Sequence, residues 1–230
     1  MAFAFVNSAS NFDSSGGTGT TLDIAYTATA GNLLVAWGKH EGAAGALTFD
    51  RSVGGEAFSL GTLTDHSNTD LHARFAYLLA CTGGSATYRM TTAARTFRSF
   101  HLWEFSYTGT AALDVQNTGQ GSSAAATSGN ITTTTTDEVV LGGYGEYSSS
   151  AITSPQINGV AAAGSIIFAA GNFTASWYRI LSATFAGGHA NCTNPNADWI
   201  CNVISFGIGV GGGGGAVLRK NSLMRLGVGR

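Results

Sequence analysis

Apolar residues recur at every second position of this chain, and that period decides what its backbone can form. In "TLDIAY" (21–26), Leu22, Ile24 and Tyr26 alternate with Thr21, Asp23 and Ala25. In "RSFHLWEFSY" (98–107), Phe100, Leu102 and Glu104 alternate with His101, Trp103, Phe105 and Tyr107. "ASWYRILSATF" (175–185) and "DWICNVISFGI" (198–208) repeat the pattern with β-branched and aromatic residues. A period of two sends successive side chains to opposite faces of a strand, whereas a helix needs apolar residues three and four apart. No window of helical length has that spacing. The nearest, "NTDLHARFAYLLA" (68–80), still alternates through Leu71, Ala73, Phe75, Tyr77 and Leu79. Gly, Ser, Asn and Asp separate these segments. The pattern predicts about a dozen short strands, among them 2–7, 85–92, 97–108 and 122–134. The expected fold is all-β: a two-sheet antiparallel sandwich of jelly-roll type with a flexible C-terminal tail.

Two segments read alike within this pattern. "TATAGNLLVAWGKHEG" (27–42) and "TTTTTDEVVLGGYGEYS" (132–148) each run from a Thr-rich lead-in through a turn to an apolar strand, then Gly and Glu. Leu33-Leu34-Val35 and Val139-Val140-Leu141 are apolar at consecutive positions, as a strand buried on both faces must be. Either the two halves supply equivalent inner strands, or Thr-rich strands merely look alike.

Composition bounds the partners. Hydrophobic residues make up 44% of the chain and aromatics 10%, enough for a core, while charged residues are only 10%. The last fifteen residues hold Arg219, Lys220, Arg225 and Arg230 and no acid, which leaves seven bases against thirteen acids before them, a balance of −6. An acidic body argues against a nucleic-acid-binding surface. No run of eighteen apolar residues is present, so no membrane helix is expected. "MAFAFVNSAS" lacks the basic start and long apolar run of a secretory leader. Five consecutive glycines at 211–215 mark a linker. The expected organisation is a β-sandwich domain at 1–208, a glycine linker at 209–215 and a basic, apolar docking tail at 216–230. The tail offers Val217, Leu218, Leu223, Met224 and Leu226 among Arg219, Lys220 and Arg225. Such a segment orders on a partner.

Candidate chemistry is sparse. "GKHEGAAG" places Lys39, His40 and Glu41 at a strand end, and "LTDHSNTDLH" places Asp65, His66, Asp70 and His72 in one loop. The first reads as a solvated terminus. The second reads as a polar turn, without the acid density or fixed glycine of a calcium loop. His101 and Glu104 fall on opposite faces, and Arg98 shares the face of Glu104 as an expected ion-pair partner. Trp37, Tyr144, Tyr147, Trp177 and Tyr178 are aromatics that either pack in the core or form a stacking platform for a surface glycan. Cys81 closes an apolar run and reads as a buried thiol. Cys192 and Cys201 bracket "CTNPNADWIC" and are candidates for a disulfide. No serine lies in Gly-x-Ser-x-Gly. The glycine run lacks the Lys-Ser/Thr of a phosphate loop. No spacing fits a metal site, and no cofactor is expected. Were the chain a glycosidase, Glu41, Glu104 and Glu146 would be the carboxylates to test.

The order "AFVNSAS", "TATAGNLLVAWG", "RFAYLLACTGGSATYRMT" and "LWEFSYTGTAALDVQNTGQGSSAAATSGNITTTTTDEVVLGGYG" carries a resemblance over residues 2–208. It resembles a large group of uncharacterised phage-associated, jelly-roll-like all-β virion structural proteins. Glu104-Phe105-Ser106 with Gly109 looks like one recurring motif of that group, with two residues inserted before the glycine. Leu113-Asp114 followed by the Thr run and Asp137 looks like another. The resemblance implies no catalytic residues. It implies a virion location, other virion proteins as partners, and a tail that anchors to the particle. The expected function is therefore a non-enzymatic capsid decoration protein, present as a homo-oligomer. The alternative is a tail-fibre or tail-appendage module that binds a host glycan.

Overall fold

In the computed structural model, the alternating segments become eighteen antiparallel strands among the described residues, which are 2–13, 19–52, 55–66, 68–147, 152–168, 173–194 and 198–209. The first half holds β1 (Phe3–Asp13), β2 (Gly19–Ala28), β3 (Leu33–Glu41), β4 (Leu47–Arg51), β5 (Glu56–Ala57), β6 (Ser59–Leu60), β7 (Thr64–Asp65), β8 (Leu71–Leu78) and β9 (Gly84–Tyr107). The second holds β10 (Thr110–Gly121), β11 (Ala125–Thr127), β12 (Glu138–Glu146), β13 (Thr153–Ile157), β14 (Val160–Ala161), β15 (Gly164–Phe168), β16 (Thr174–Leu181), β17 (Ala190–Thr193) and β18 (Trp199–Gly209). Residues 210–230, with the expected linker and docking tail, lie outside the described residues.

The two halves use one pairing pattern. In the first, β9 pairs with β1 and β3, β3 with β8, and β8 with β6. In the second, β18 pairs with β10 and β12, β12 with β16, and β16 with β15. The outer sheets correspond as well. β9 pairs with β2 and β4, and β4 with β5. β17 pairs with β11 and β13, and β13 with β14. The strands expected at 85–92 and 97–108 are thus one 24-residue strand that serves two sheets. It turns between them where Phe97 takes φ 46°, a conformation that a bulky side chain adopts only when the surroundings force it. The strand expected at 122–134 is reduced to β11, and β1 runs well past the expected residue 7.

Three apolar cores separate the sheets, so the body is a sandwich of four layers rather than two. Leu22, Ile24, Phe49, Tyr88 and Met90 of the first outer sheet meet Leu34, Ala36, Phe100 and Leu102 of the first inner sheet. The opposite face of that sheet, with Leu33, Val35, Trp37, Trp103 and Phe105, meets Val139, Leu141, Ile200, Ile204 and Phe206. Val140, Tyr144, Trp177 and Val203 then meet Ala126, Ile157, Ala190 and Cys192 of the second outer sheet. The inner sheets are covered on both faces. β3 is therefore buried from Leu33 to His40, and β12 throughout. These are the equivalent inner strands that the Thr-rich echo foreshadows.

Close packing at the centre requires unequal partners. A Cβ on Gly143 would stand 2.1 Å from Trp37 Nε1, and one on Gly145 would stand 2.9 Å from Lys39 Cγ. Bulk on β3 is matched by its absence on β12. The lead-in turn of the first half is closed by Asn32 N–H donating to Thr29 O at 3.2 Å, with Gly31 at φ 85°, where a side chain is strained.

Candidate functional site

Buried carboxylates lock the lead-ins of both halves. Glu104 accepts from Tyr26 Oη at 2.7 Å, Thr29 N at 2.8 Å and Asn32 Nδ2 at 2.6 Å. Burial pulls its pKa up, but these donors together outweigh it and hold the carboxyl below its ordinary value. The expected Arg98–Glu104 pair does not form. The two residues are six apart on one strand, roughly 20 Å, and Arg98 donates instead to Asp13 Oδ2 at 2.7 Å and Thr21 O at 2.5 Å. In the second half Asp114 accepts from Thr134 N at 2.8 Å and Thr134 Oγ1 at 2.5 Å, while Glu138 accepts from Thr135 N at 3.0 Å. Glu104 and Asp114 therefore each fasten a threonine-bearing turn.

The inner polar groups are sealed. His101 and Glu104 do face opposite ways, as alternation requires. Ser176 Oγ lies 2.6 Å from His101 Nδ1 and accepts from Trp103 Nε1 at 2.8 Å. Burial pushes His101 down to about 3, so its ring is neutral. A serine beside a neutral histidine has the makings of a nucleophile–base pair, yet both are fully buried and no substrate can reach them.

A second set of polar groups gathers at one end of the stack, where β3, β7, β8 and β12 start or finish. Buried Lys39 is paired with Glu41. Burial pulls the ammonium down and pushes the carboxyl up, each opposed by the other's charge. Glu146 accepts from Tyr144 Oη at 2.6 Å, and Asn194 Nδ2 donates to the same hydroxyl at 2.6 Å. Glu104 is engaged at the lead-in turn, while Glu41 and Glu146 both lie in the field of Lys39. His40 and His72 stack with ring centres 4.9 Å apart. Burial, assisted by the charges of His72 and Arg95, pushes His40 down to about 3. His72 Nδ1 bonds Asp65 Oδ1 at 2.6 Å. A groove of about 540 Å³ opens in front of this pair, lined by Asp65, His66, Asn68, Thr69, Asp70, His72, Ala44 and Tyr147. His66 braces the loop. Its Nδ1 accepts from Asn68 N at 3.2 Å, and its Nε2 donates to Gly121 O at 3.3 Å.

The aromatics expected as a platform are not a shared surface. Trp37, Tyr144, Trp177 and Tyr178 are buried, because the inner strands that carry them are covered on both faces. Trp37 Nε1 donates to Asn202 and Trp177 Nε1 to Gln156 O, so their polar tips are satisfied inside. Only Tyr147 is exposed, at 54%. Cys192 and Cys201 are free buried thiols on facing sheets rather than a disulfide, and Cys81 is a third buried thiol. Among the described residues, no group of three or more His, Cys, Asp or Glu is placed to hold a metal ion, and no helix is long and apolar enough to cross a membrane. The docking residues Val217, Leu218, Arg219, Lys220, Leu223, Met224, Arg225 and Leu226 lie outside the described residues.

The sequence singles out Asp65, His66, Asp70 and His72 but reads them as a polar turn, and it gives no sign of the opposite wall. Tyr147 lies in the other half of the chain, and no local pattern reports that the two meet. Comparison with family models, with curated proteins and with solved structures returned no match.

Proposed function

We propose that this chain is a non-enzymatic structural protein of a phage virion, a capsid decoration protein made of two jelly rolls packed back to back. The recurrence of one eight-strand pairing pattern in both halves carries this reading. In each half the first strand lies beside the last and the last beside the third. The second lies beside the penultimate, and the penultimate beside the fourth. In this proposal that order is read as a jelly roll, an architecture common in capsid and lectin domains. Fold alone does not assign function. The reading also draws on Glu104, Asp114 and Glu138, which are engaged in holding turns, and on an apolar flank. Phe5 and Phe12 on edge strand β1 and Ile167 on edge strand β15 are 38–42% exposed. Phe12 packs against Phe168 of β15 with ring centres 4.6 Å apart, so both sheet edges border one flank. Exposed apolar edges of this kind suit contact between copies on a particle.

Residues 216–230 anchor the body in this proposal. Val217, Leu218, Leu223, Met224 and Leu226 are worth about 1.5–3 kcal/mol each when fully buried in a partner. The four basic residues steer them towards an acidic surface. Deleting 211–230 leaves a folded, soluble body that no longer joins particles in a reconstitution assay. Incorporation of the truncated protein at the full-length level would refute the anchoring role.

A further inference from the structure

We infer that the groove between the 65–72 loop and Tyr147 is a binding site for a neutral saccharide. This assignment stands apart from the virion reading and uses none of the buried aromatics.

Four observations lead to it. The groove, at about 540 Å³, falls within the range of small-molecule sites. Its lining is rich in hydroxyl-binding groups: the carboxylates of Asp65 and Asp70 and the amide of Asn68. His72 lines the groove with its ring fixed by the bond from Nδ1 to Asp65 and by the stack on His40, so the Asp65 carboxylate is held in place beside it. Tyr147 offers a large, exposed aromatic surface at the same groove. An amphipathic ring beside hydrogen-bonding groups suits a ligand with one apolar C–H face and a rim of hydroxyls.

The same lining selects against other ligands. Among the described residues the lining holds two carboxylates and no lysine or arginine, a charge that repels phosphates, sulfates and nucleic acids. A lipid or other apolar ligand would strip water from Asp65, Asp70 and Asn68 without replacing it. The site is also preorganised. The internal bonds of His66 hold the loop, and the His40–His72 stack holds the imidazole, so little ordering entropy is lost on binding.

The test uses the full chain on a broad printed array of neutral and acidic glycans. Amide and Tyr147 resonances are then followed by NMR during titration with the best neutral glycan. The expected result is capture by neutral glycans, shifts confined to residues 64–72 and 147, and a Kd on the order of 1 mM or tighter. Tyr147→Ala and Asp70→Asn alter exposed side chains, so the fold persists, and each weakens binding about tenfold or more. Phe12→Ala, exposed on β1, leaves binding unchanged. An array on which no neutral glycan is held, a preference for acidic glycans, or binding that survives both groove variants overturns the inference. None of these outcomes depends on particle assembly, so the site and the anchoring tail fail or succeed separately.

Discussion

Placing a single methyl group on Gly143 probes the packing of the two halves against each other. The added Cβ would stand 2.1 Å from Trp37 Nε1 and 2.3 Å from Trp37 Cδ1, far inside any tolerated contact. Trp37 has little room to retreat. It is fully buried, donates to Asn202 Oδ1 at 3.3 Å and meets His101 edge-on with ring centres 5.2 Å apart. Overpacking of a tight core costs about 1–3 kcal/mol. Loss of the indole hydrogen bond adds about 1 kcal/mol. Replacing glycine in a strand returns about 0.5–1 kcal/mol of backbone entropy. The net expectation for Gly143→Ala is a loss of about 1–3 kcal/mol, or about 3–10 °C in Tm for a chain of this size. Urea unfolding followed by tryptophan fluorescence, with calorimetry in parallel, measures it. A second arm repeats the substitution in a Trp37→Leu background, where the clash is relieved. The cycle is expected to show a coupling of at least about 1 kcal/mol. A neutral or stabilising Gly143→Ala, or an equal cost in both backgrounds, would show that Trp37 does not stand over Gly143.

Two further expectations follow from buried groups. Burial, and the Asp114 carboxyl beside it, push Glu138 up to about 7 from an ordinary value of 4.5. The folded chain keeps this proton where the unfolded chain has lost it. The stability it contributes is therefore present below pH 4.5 and declines as pH rises through 7, by at most about 3 kcal/mol. Glu138→Gln cannot ionise, so melting curves of the variant should gain on the parent across that window; parallel curves would refute the assignment. The second expectation concerns Cys81, Cys192 and Cys201, which are at most 3% exposed. Burial pushes all three thiols up, so a thiol reagent should label none in the native chain and all three in urea. A mass two hydrogen atoms short under non-reducing conditions would instead place a disulfide between Cys192 and Cys201.

Much of this architecture is legible in the residues, and the illegible part has a common cause. Alternation in 98–107 correctly separates Phe100, Leu102 and Glu104 from His101, Trp103 and Phe105, because a strand's two faces are a local property. It is silent on what covers each face. Trp37, Trp177 and Tyr144 look like candidates for display until a second sheet is laid over them. Glu104 looks paired with Arg98 until Tyr26 of β2 and the Thr29–Asn32 turn supply its donors instead. The groove shows both limits at once, since its loop announces itself by composition while Tyr147 comes from the other half.

The sequence by itself determined that this chain is built of strands, which residues share a face, and that Leu33–Val35 and Val139–Leu141 lie in doubly covered positions. These follow from side-chain period and from apolar residues at consecutive sites. Only the tertiary structure decided that four layers stack, that one long strand bridges two of them, that Trp37 rests on Gly143, and that the cysteines stay apart as thiols. Each of these depends on which distant segment supplies the opposing surface, and that choice is made by packing complementarity between halves rather than by any window of the chain.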